Sequence, residues 1–176
     1  MNLRKTVSSD CESIRNIHLS AFPKEERELV AKLAVDLLLH PTTPPTISFV
    51  AEDNGLLIGH VVFSPVTVHG QPDIRAWILA PLSVMPEHHR RGIGSDLVRT
   101  GMQQAADTGA DICFVYGDPA FYNRFGFTAE TAAPYTPPYP LQYPFGWQAA
   151  MLGETESNKT EVSISCVSPL HDPALW

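Results

Sequence analysis

Residues 90–95 read RRGIGS, and two arginines and two glycines at this spacing can bind a pyrophosphate. The run lies between an apolar stretch that predicts a strand and an amphipathic stretch that predicts a helix. A helix N-terminus has unpaired N–H groups and a partial positive charge. Glycines allow an anion to approach the backbone, and guanidinium groups donate paired hydrogen bonds to phosphate oxygens. The run therefore predicts an anion-binding turn.

Two other phosphate-binding motifs do not fit this turn. A P-loop requires a lysine after its last glycine, and residues 90–95 contain none. A dinucleotide fingerprint requires a third glycine, but Leu97 occupies that position and the turn follows a hairpin instead of a first strand. A plain helix start with exposed arginines is the remaining alternative. Val84 and Pro86, which precede the turn, favour the pyrophosphate site over it.

The elements that position this turn are predicted from hydrophobic periodicity, proline and glycine. The predicted strands are 3–7, 47–51, 57–63, 76–85, 112–116, 148–152 and 161–167. The first predicted helix is capped by the side chain of Ser9 or Asp10, and the others begin at Pro23, after Gly94 and at Pro119. Pro65 suggests a bulge or an edge, and Pro81 is expected to interrupt its strand. Antiparallel hairpins followed by a parallel crossover imply a mixed, mostly antiparallel sheet flanked by helices, which is an α+β fold.

Length and composition favour one domain in the cytoplasm. The 176 residues are expected to form a single domain, with a core over about 1–152 and an extra C-terminal strand within about 160–176. The net charge of −7 disfavours a nucleic-acid partner. No apolar run predicts a signal peptide or a membrane span. Three scattered cysteines and unpaired histidines predict neither a disulfide framework nor a metal site.

Two segments resemble the motifs of the GNAT family of N-acyltransferases. The strand Leu82-Ser83-Val84, Pro86 and the following RGIG turn are similar to motif A of that family. The stretch GDPAFYNRFGF at 117–127 is similar to motif B, in the form found in the YhbS-like branch. The resemblance covers about residues 3–127 well, whereas the proline-rich part and the last strands match only loosely.

This resemblance implies a GNAT-like fold and acetyl-CoA as cosubstrate, without a metal. It implies that Tyr122 is the general acid for the leaving thiolate. It also implies that the backbone of the motif A strand pairs with pantetheine amides. The implied coenzyme-binding residues are Leu82, Ser83, Val84, His89, Arg90, Arg91, Gly92, Ile93, Gly94 and Ser95. His89 departs from the glutamine or arginine usual at its position, so only its backbone N–H is carried over.

The proton acceptor is left open by the sequence. Candidates are the acidic residues at the start of the second predicted helix and three histidines that could relay protons. These are Glu25, Glu26, Glu28, His60, His69 and His88. Some acceptor is required because a lysine-like amine has a pKa near 10.4 and is mostly protonated at neutral pH.

The expected function is direct transfer of an acetyl group from acetyl-CoA to an amine of a small molecule or a protein. Two alternatives stay open: a non-catalytic acyl-CoA-binding regulatory module, and an acyltransferase that uses another donor, such as an acylated carrier protein. The chain is expected to be a monomer or a homodimer. The proline- and tyrosine-rich segment 134–144 is either an ordered crossing between strands or a polyproline ligand.

Overall fold

The computed structural model describes residues 1–154 and 160–176, which form a curved mixed sheet with helices on both faces. The strands in these residues are β1 Asn2–Lys5, β2 Ile47–Asp53, β3 Leu56–Val68, β4 Ala76–Val84, β5 Ile112–Tyr116, β6 Tyr135–Thr136, β7 Trp147–Met151 and β8 Val162–Cys166. The helices are α1 Cys11–Ala21, α2 Arg27–Leu39, α3 Ile93–Asp107, α4 Pro119–Tyr122 and α5 Ala129–Ala132.

The sheet has the order β1-β2-β3-β4-β5-β7, and β4 and β5 are the parallel pair along this path. Strand β3 pairs with β2 along its first half and with β8 along its last three residues. Strand β6 lies parallel to β8. The predicted α+β fold with a mostly antiparallel sheet is confirmed. Pro65 lies where β3 changes neighbours from β2 to β8. Its missing N–H therefore falls at a local strand edge, which is one of the two alternatives, a bulge or an edge, that the sequence suggested.

Pro81 does not interrupt β4, contrary to the prediction. The strand continues through it to Val84, and the ladder to β3 shifts register there. Val61 pairs with Leu82 and Phe63 with Leu79, so two residues of β4 stand opposite Val62 alone. This two-against-one arrangement is a β-bulge, which bends the strand that carries the extra residue.

The bend coincides with the point where β4 and β5 separate. Their parallel pairing covers Ala76–Leu79 opposite Ile112–Val115 and stops there. The remaining residues of β4, 80–84, have no pairing partner on the β5 side within the described part of the chain. This half of β4 is therefore an open strand edge inside the sheet, where backbone groups can pair with a ligand.

Helix α3 packs on one face of the sheet at close range because each side of the interface has a glycine that leaves room for a side chain of the other. A Cβ at Gly59 of β3 would lie 3.0 Å from Leu97 Cδ1, and a Cβ at Gly101 would lie 1.9 Å from Phe63 Cε2. Helix α2 covers the opposite face, where Leu33 and Leu37 form a core cluster with residues of β3, β4 and β5. The N-terminus of α3 is thereby fixed relative to the end of β4.

Two helix starts differ from the predictions. Helix α2 begins at Arg27 and not at Pro23, because the carbonyl of Pro23 accepts the N–H groups of Glu26 and Arg27 in a preceding turn. Asp10 precedes α1 but does not cap it with its side chain. Its carboxylate accepts the Val7 N–H and forms an ion pair with Arg4 at 2.8 Å.

A pair of histidines is buried between α1 and the sheet. His18 Nε2 and His60 Nδ1 are 2.9 Å apart, and Ser48 Oγ lies 2.9 Å from His60 Nε2. Burial lowers the pKa of His18 to about 3. Burial, followed by the proximity of His18, holds the pKa of His60 well below its ordinary value. Both imidazoles are therefore neutral in the folded protein near neutral pH.

This pair predicts a loss of stability in mild acid. The unfolded chain protonates each histidine below pH 6.5 while the folded chain does not, so stability is retained above that pH and falls as pH drops below it. Between pH 7 and pH 5 we expect each histidine to remove about 2 kcal/mol of unfolding free energy. Urea unfolding at both pH values should show this loss, and His18→Gln should reduce it by about half. The exposed His69→Gln is the control, and an unchanged pH dependence in His18→Gln would contradict the prediction.

Candidate active site

The glycine turn is shaped by two residues with left-handed backbone. Arg90 has φ 61° and Gly92 has φ 80°, and α3 begins directly afterwards. The first amide bonded back into this turn is that of Asp96, which donates to the Gly92 carbonyl at 3.0 Å. In the described part of the chain, the N–H groups of residues 90–95 have no backbone partner. The turn therefore presents free donors at a positive helix end, as predicted.

A cavity of about 660 Å³ lies against this turn. All of the predicted coenzyme-binding residues line it except Arg91. Three residues outside the predicted coenzyme-binding set also line it: His88, and Phe121 with Arg124, whose guanidinium lies 5.2 Å from the Phe121 ring centroid. Phe121 and Arg124 belong to the stretch similar to motif B. The positive charge of Arg124 was the sequence signal that could have assigned it to a phosphate site. The cavity thus joins the two motifs that are separate in sequence.

Arg91 does not line this cavity. Its guanidinium nitrogens lie 2.6 Å from His88 Nδ1 and 3.4 Å from Asp53 Oδ2. Asp53 lies at the end of β2, so this contact connects the turn to the β2–β3 hairpin. The arginine side chain is placed to brace the turn, and its backbone N–H is the group left for an anion.

His89 has a side-chain contact that its position in the motif did not predict. Its Nε2 lies 2.8 Å from the Val84 carbonyl oxygen. Because a carbonyl oxygen only accepts, the imidazole donates from Nε2. The bond links the end of β4 to the glycine turn and closes the loop between them.

Three observations indicate that the cavity fits a coenzyme with a pyrophosphate and an extended amide arm. A Cβ at Gly94 would make only ordinary contacts, 3.6 Å from Phe121 Cζ and 3.7 Å from Val84 Cγ2, so the packing of the protein does not require a glycine there. The glycine instead leaves the helix end open. The buried Ser83 hydroxyl has no hydrogen-bond partner in residues 1–154 and 160–176. The free edge of β4 adjoins both features.

Tyr122 lies in a second cavity, of about 440 Å³, which shares Leu82 with the first. Its hydroxyl forms no hydrogen bond with the described residues. Burial raises the pKa of the Tyr122 hydroxyl above its ordinary value near 10, with smaller contributions from Cys113 and Asp118. The hydroxyl is therefore protonated at neutral pH and is able to donate.

The position of the Tyr122 ring depends on a glycine and a buried amide network. A Cβ at Gly117 would lie 2.5 Å from Tyr122 Cε2. The Gly117 carbonyl accepts from Gln148 Nε2 at 3.1 Å, and the Asn123 amide nitrogen donates to Gln148 Oε1 at 3.0 Å. Gln148 is 1% exposed. Asn123 and Gln148 thus hold the segment that carries Tyr122, a role not predicted from the sequence.

We expect Gly117→Ala to lower turnover about tenfold by displacing the Tyr122 ring, while coenzyme binding at the glycine turn is unchanged. Steady-state kcat and calorimetric coenzyme affinity are the two measurements. In a Tyr122→Phe background the same alanine should have little further effect on kcat, because the group that it displaces is already absent. Additive losses in the double variant would contradict this explanation.

Among the candidate proton acceptors, Glu26 is the one that lines the cavity of Tyr122. Glu28 forms an ion pair with Arg15 at 2.8 Å, and Glu25 is exposed outside the cavity lining. His60 is buried in the core, and His88 contacts Arg91. His69 lies in the turn that follows β3, where its N–H donates to the Ser163 carbonyl. Of these candidates, Glu26 is therefore the one that shares a cavity with Tyr122.

Within the described ranges 1–154 and 160–176, no group of three or more His, Cys, Asp or Glu side chains is arranged to hold a metal ion. None of the helices in those ranges is long and apolar enough to cross a membrane.

The protein has the fold and site of a GNAT-type acetyltransferase. The defining features are the separation of β4 from β5, the glycine turn and Tyr122. Residues 2–129 match the family model described as an acetyltransferase (GNAT) domain. The chain belongs to the GNAT acetyltransferase family, and the predicted family and enzyme class, N-acetyltransferase, are confirmed.

Two curated relatives from Escherichia coli K12 are named uncharacterized N-acetyltransferases. YjhQ is 35% identical over 139 residues, which cover 77% of this chain and 75% of YjhQ. YhbS is 35% identical over 130 residues, which cover 72% of this chain and 73% of YhbS. The similarity to YhbS agrees with the branch indicated by the 117–127 stretch.

Two solved structures share this fold at 27% identity. The E. coli YhbS structure in complex with CoA has a TM-score of 0.82, covering 96% of this chain and 90% of that one. A GNAT acetyltransferase from Brucella melitensis in complex with acetyl-CoA has a TM-score of 0.70, covering 96% of both chains. These ligands agree with the predicted cosubstrate.

Proposed function

We propose that this protein transfers an acetyl group from acetyl-CoA directly to a primary amine. The observation that carries the proposal is that the two cavities are neighbours, because Leu82 of β4 lines both of them. One cavity holds the glycine turn and the other holds Tyr122, so a donor bound along β4 reaches from the free amides to the tyrosine hydroxyl. Acetyl-CoA supplies the activated thioester at this junction.

The glycine turn would bind the pyrophosphate. The free N–H groups of residues 90–95 donate to it, and Arg90 and Arg124 add positive charge from the cavity wall. Gly92 and Gly94 let the phosphates approach the backbone. Arg91 contributes its N–H and braces the turn through Asp53.

The edge of β4 would orient the pantetheine arm. Leu82, Ser83 and Val84 have no strand partner on the β5 side in the described residues, and apart from the Val84 carbonyl, which accepts from His89 Nε2, the backbone groups that face that side are open. These groups can pair with amides of the arm as a neighbouring strand would. The buried Ser83 hydroxyl is available to the same ligand.

Tyr122 would donate a proton to the departing thiolate, since its hydroxyl is protonated and unbonded within the described chain. Glu26 would accept a proton from the amine, directly or through water, because this residue lines the same cavity. The cavity thus contains a proton donor for the leaving thiolate and a proton acceptor for the attacking amine.

Thiol release from acetyl-CoA in the presence of a panel of amines tests the proposal. We expect thiol release that depends on the amine, together with an acetylated product of the matching mass. Coenzyme binding without acetylation of any amine would contradict it and would favour the regulatory-module alternative. Faster transfer from longer acyl-CoAs, or from an acylated carrier protein, would instead contradict acetyl-CoA as the donor.

A further inference from the structure

The cavity that holds Tyr122 has mainly apolar and aromatic walls. Phe22 follows α1, Leu29 and Leu33 come from α2, and Tyr116 and Trp176 close the opposite side. These side chains come from segments far apart in the sequence. A ligand in this cavity would contact hydrocarbon and ring surfaces over most of its body.

The aromatic wall is held in place by backbone hydrogen bonds. The Trp176 indole Nε1 donates to the Leu170 carbonyl at 3.1 Å, and the Tyr143 N–H donates to the Tyr116 hydroxyl at 2.8 Å. The rings of Tyr116 and Trp176 stack with centroids 6.4 Å apart. The cavity is therefore formed before an acceptor enters, which favours a small ligand that fits it.

The charged residues that line this cavity are all acidic. They are Glu26 and Asp118, and the described lining contains no lysine, arginine or histidine. Asp118 also caps α4 by accepting the Ala120 N–H at 2.9 Å. Glu26 has no ion-pair partner within the part of the chain that the structure describes. The cavity is therefore electrostatically suited to a cation.

This charge pattern discriminates between classes of amine. A carboxylate or phosphate on the acceptor would lose its hydration without gaining a cationic partner, which is costly. An ammonium group gains the Glu26 carboxylate and the faces of the aromatic rings. Amines that carry an anionic group are therefore disfavoured by the same residues that attract a simple amine.

We propose that the acceptor is a small primary amine with an aromatic or branched apolar body and no anionic group. This inference rests on the proposed acetyl transfer and names its substrate class. A volume of about 440 Å³ is within the range of small-molecule sites and leaves room for such a body beside the thioester.

Matched pairs of acceptors test the class. Phenylethylamine and phenylalanine differ by one carboxylate, as do tryptamine and tryptophan. With acetyl-CoA, kcat/KM for each amine should exceed that for its amino acid by about 100-fold or more, because the carboxylate has no partner in the cavity. Equal values, or preference for the amino acids, would overturn the proposal. So would faster acetylation of a lysine-containing peptide, which would indicate a protein acceptor.

Glu26 variants test the origin of the selectivity. Glu26→Gln should raise KM for the amine about tenfold and also lower kcat, because Glu26 is the proposed proton acceptor, while leaving coenzyme affinity unchanged. Glu26→Lys should narrow or reverse the preference for amine over amino acid. Glu25→Gln, a neighbouring change outside the cavity lining, is the matched control. Unaltered KM in Glu26→Gln would overturn recognition by charge.

The two proposals fail in different ways. If the protein binds coenzyme A but acetylates no member of the amine panel, the proposed function is wrong. If it acetylates amino acids or peptides in preference to simple amines, acetyl transfer holds and the inferred substrate class is wrong.

Discussion

Gly92→Asp is expected to weaken coenzyme A binding by at least about 100-fold while the protein remains folded. Gly92 precedes α3 with φ 80°, and a Cβ there would meet no atom within 4 Å. The aspartate therefore fits sterically within the protein, but it places a negative charge among amides that should bind a pyrophosphate. Calorimetric titration with coenzyme A measures the loss.

A matched control separates the effect of backbone strain in Gly92→Asp from the effect of the added negative charge. Gly70 has φ 77° and equally open surroundings, but it lies in the turn after β3, outside the lining of the coenzyme cavity. Gly70→Asp should lose a similar 1–2 kcal/mol of unfolding free energy, roughly the cost of a left-handed non-glycine residue, without a change in affinity. Gly92→Ala should lose far less affinity than Gly92→Asp. Equal affinities for the wild type and Gly92→Asp would show that the turn does not bind the phosphates.

Tyr122→Phe is expected to lower kcat by about 100-fold or more, with the affinity for coenzyme A nearly unchanged. The change removes one hydroxyl that no described residue engages, so the ring packing against Gly117 is kept. A proton donor contributes to the transition state more than to binding, and the loss should therefore appear in kcat. Single-turnover measurements with saturating amine separate this step from product release.

The pH dependence of the wild type gives a second check. Burial raises the pKa of Tyr122, so its hydroxyl stays protonated well above neutral pH and should cause no fall in rate below about pH 10.

Tyr139→Phe is the matched control for Tyr122→Phe, because the Tyr139 hydroxyl donates to the His171 carbonyl at 3.0 Å and lies outside the cavity lining. A similar loss in both variants, or equal losses of kcat and affinity in Tyr122→Phe, would indicate packing instead of proton donation.

The donor side of the site was predictable because its residues are local in sequence. A strand, a short turn and a helix follow one another over residues 82–97, and their backbone geometry follows from glycine and helix-end chemistry. Tyr122 could be added because its motif is also continuous. The structure places nearly all of these residues around one cavity.

Two of the exceptions, Arg91 and Pro81, depend on partners that are distant in sequence. Arg91 is drawn away by Asp53, which lies 38 positions earlier. Pro81 is accommodated because Val62 of β3 stands opposite two residues of β4. No local pattern around either residue specifies such a partner, because the partner is chosen when the strands and hairpins assemble.

The cavity proposed to hold the acceptor could not be predicted from the sequence for the same reason. Its cavity is assembled from the end of α1, from α2, from β5 and from the C-terminal segment that carries Trp176. Strand β8, which leads into that segment, pairs with the end of β3 and not with its neighbour in sequence, β7. The acidic residues around the start of α2 gave three equivalent candidates, and only the tertiary structure distinguishes Glu26 from the other two.

The contact between Gly101 of α3 and Phe63 of β3 has a consequence for how this sequence can diverge. A side chain at position 101 would overlap the Phe63 ring, so the two positions share a fixed volume. Substitutions there should therefore be acceptable in pairs, with a larger residue at 101 accompanied by a smaller one at 63. Because α3 follows the glycine turn, this compensating exchange is a route by which homologous proteins can change their cores while the helix end proposed to bind the coenzyme keeps its position.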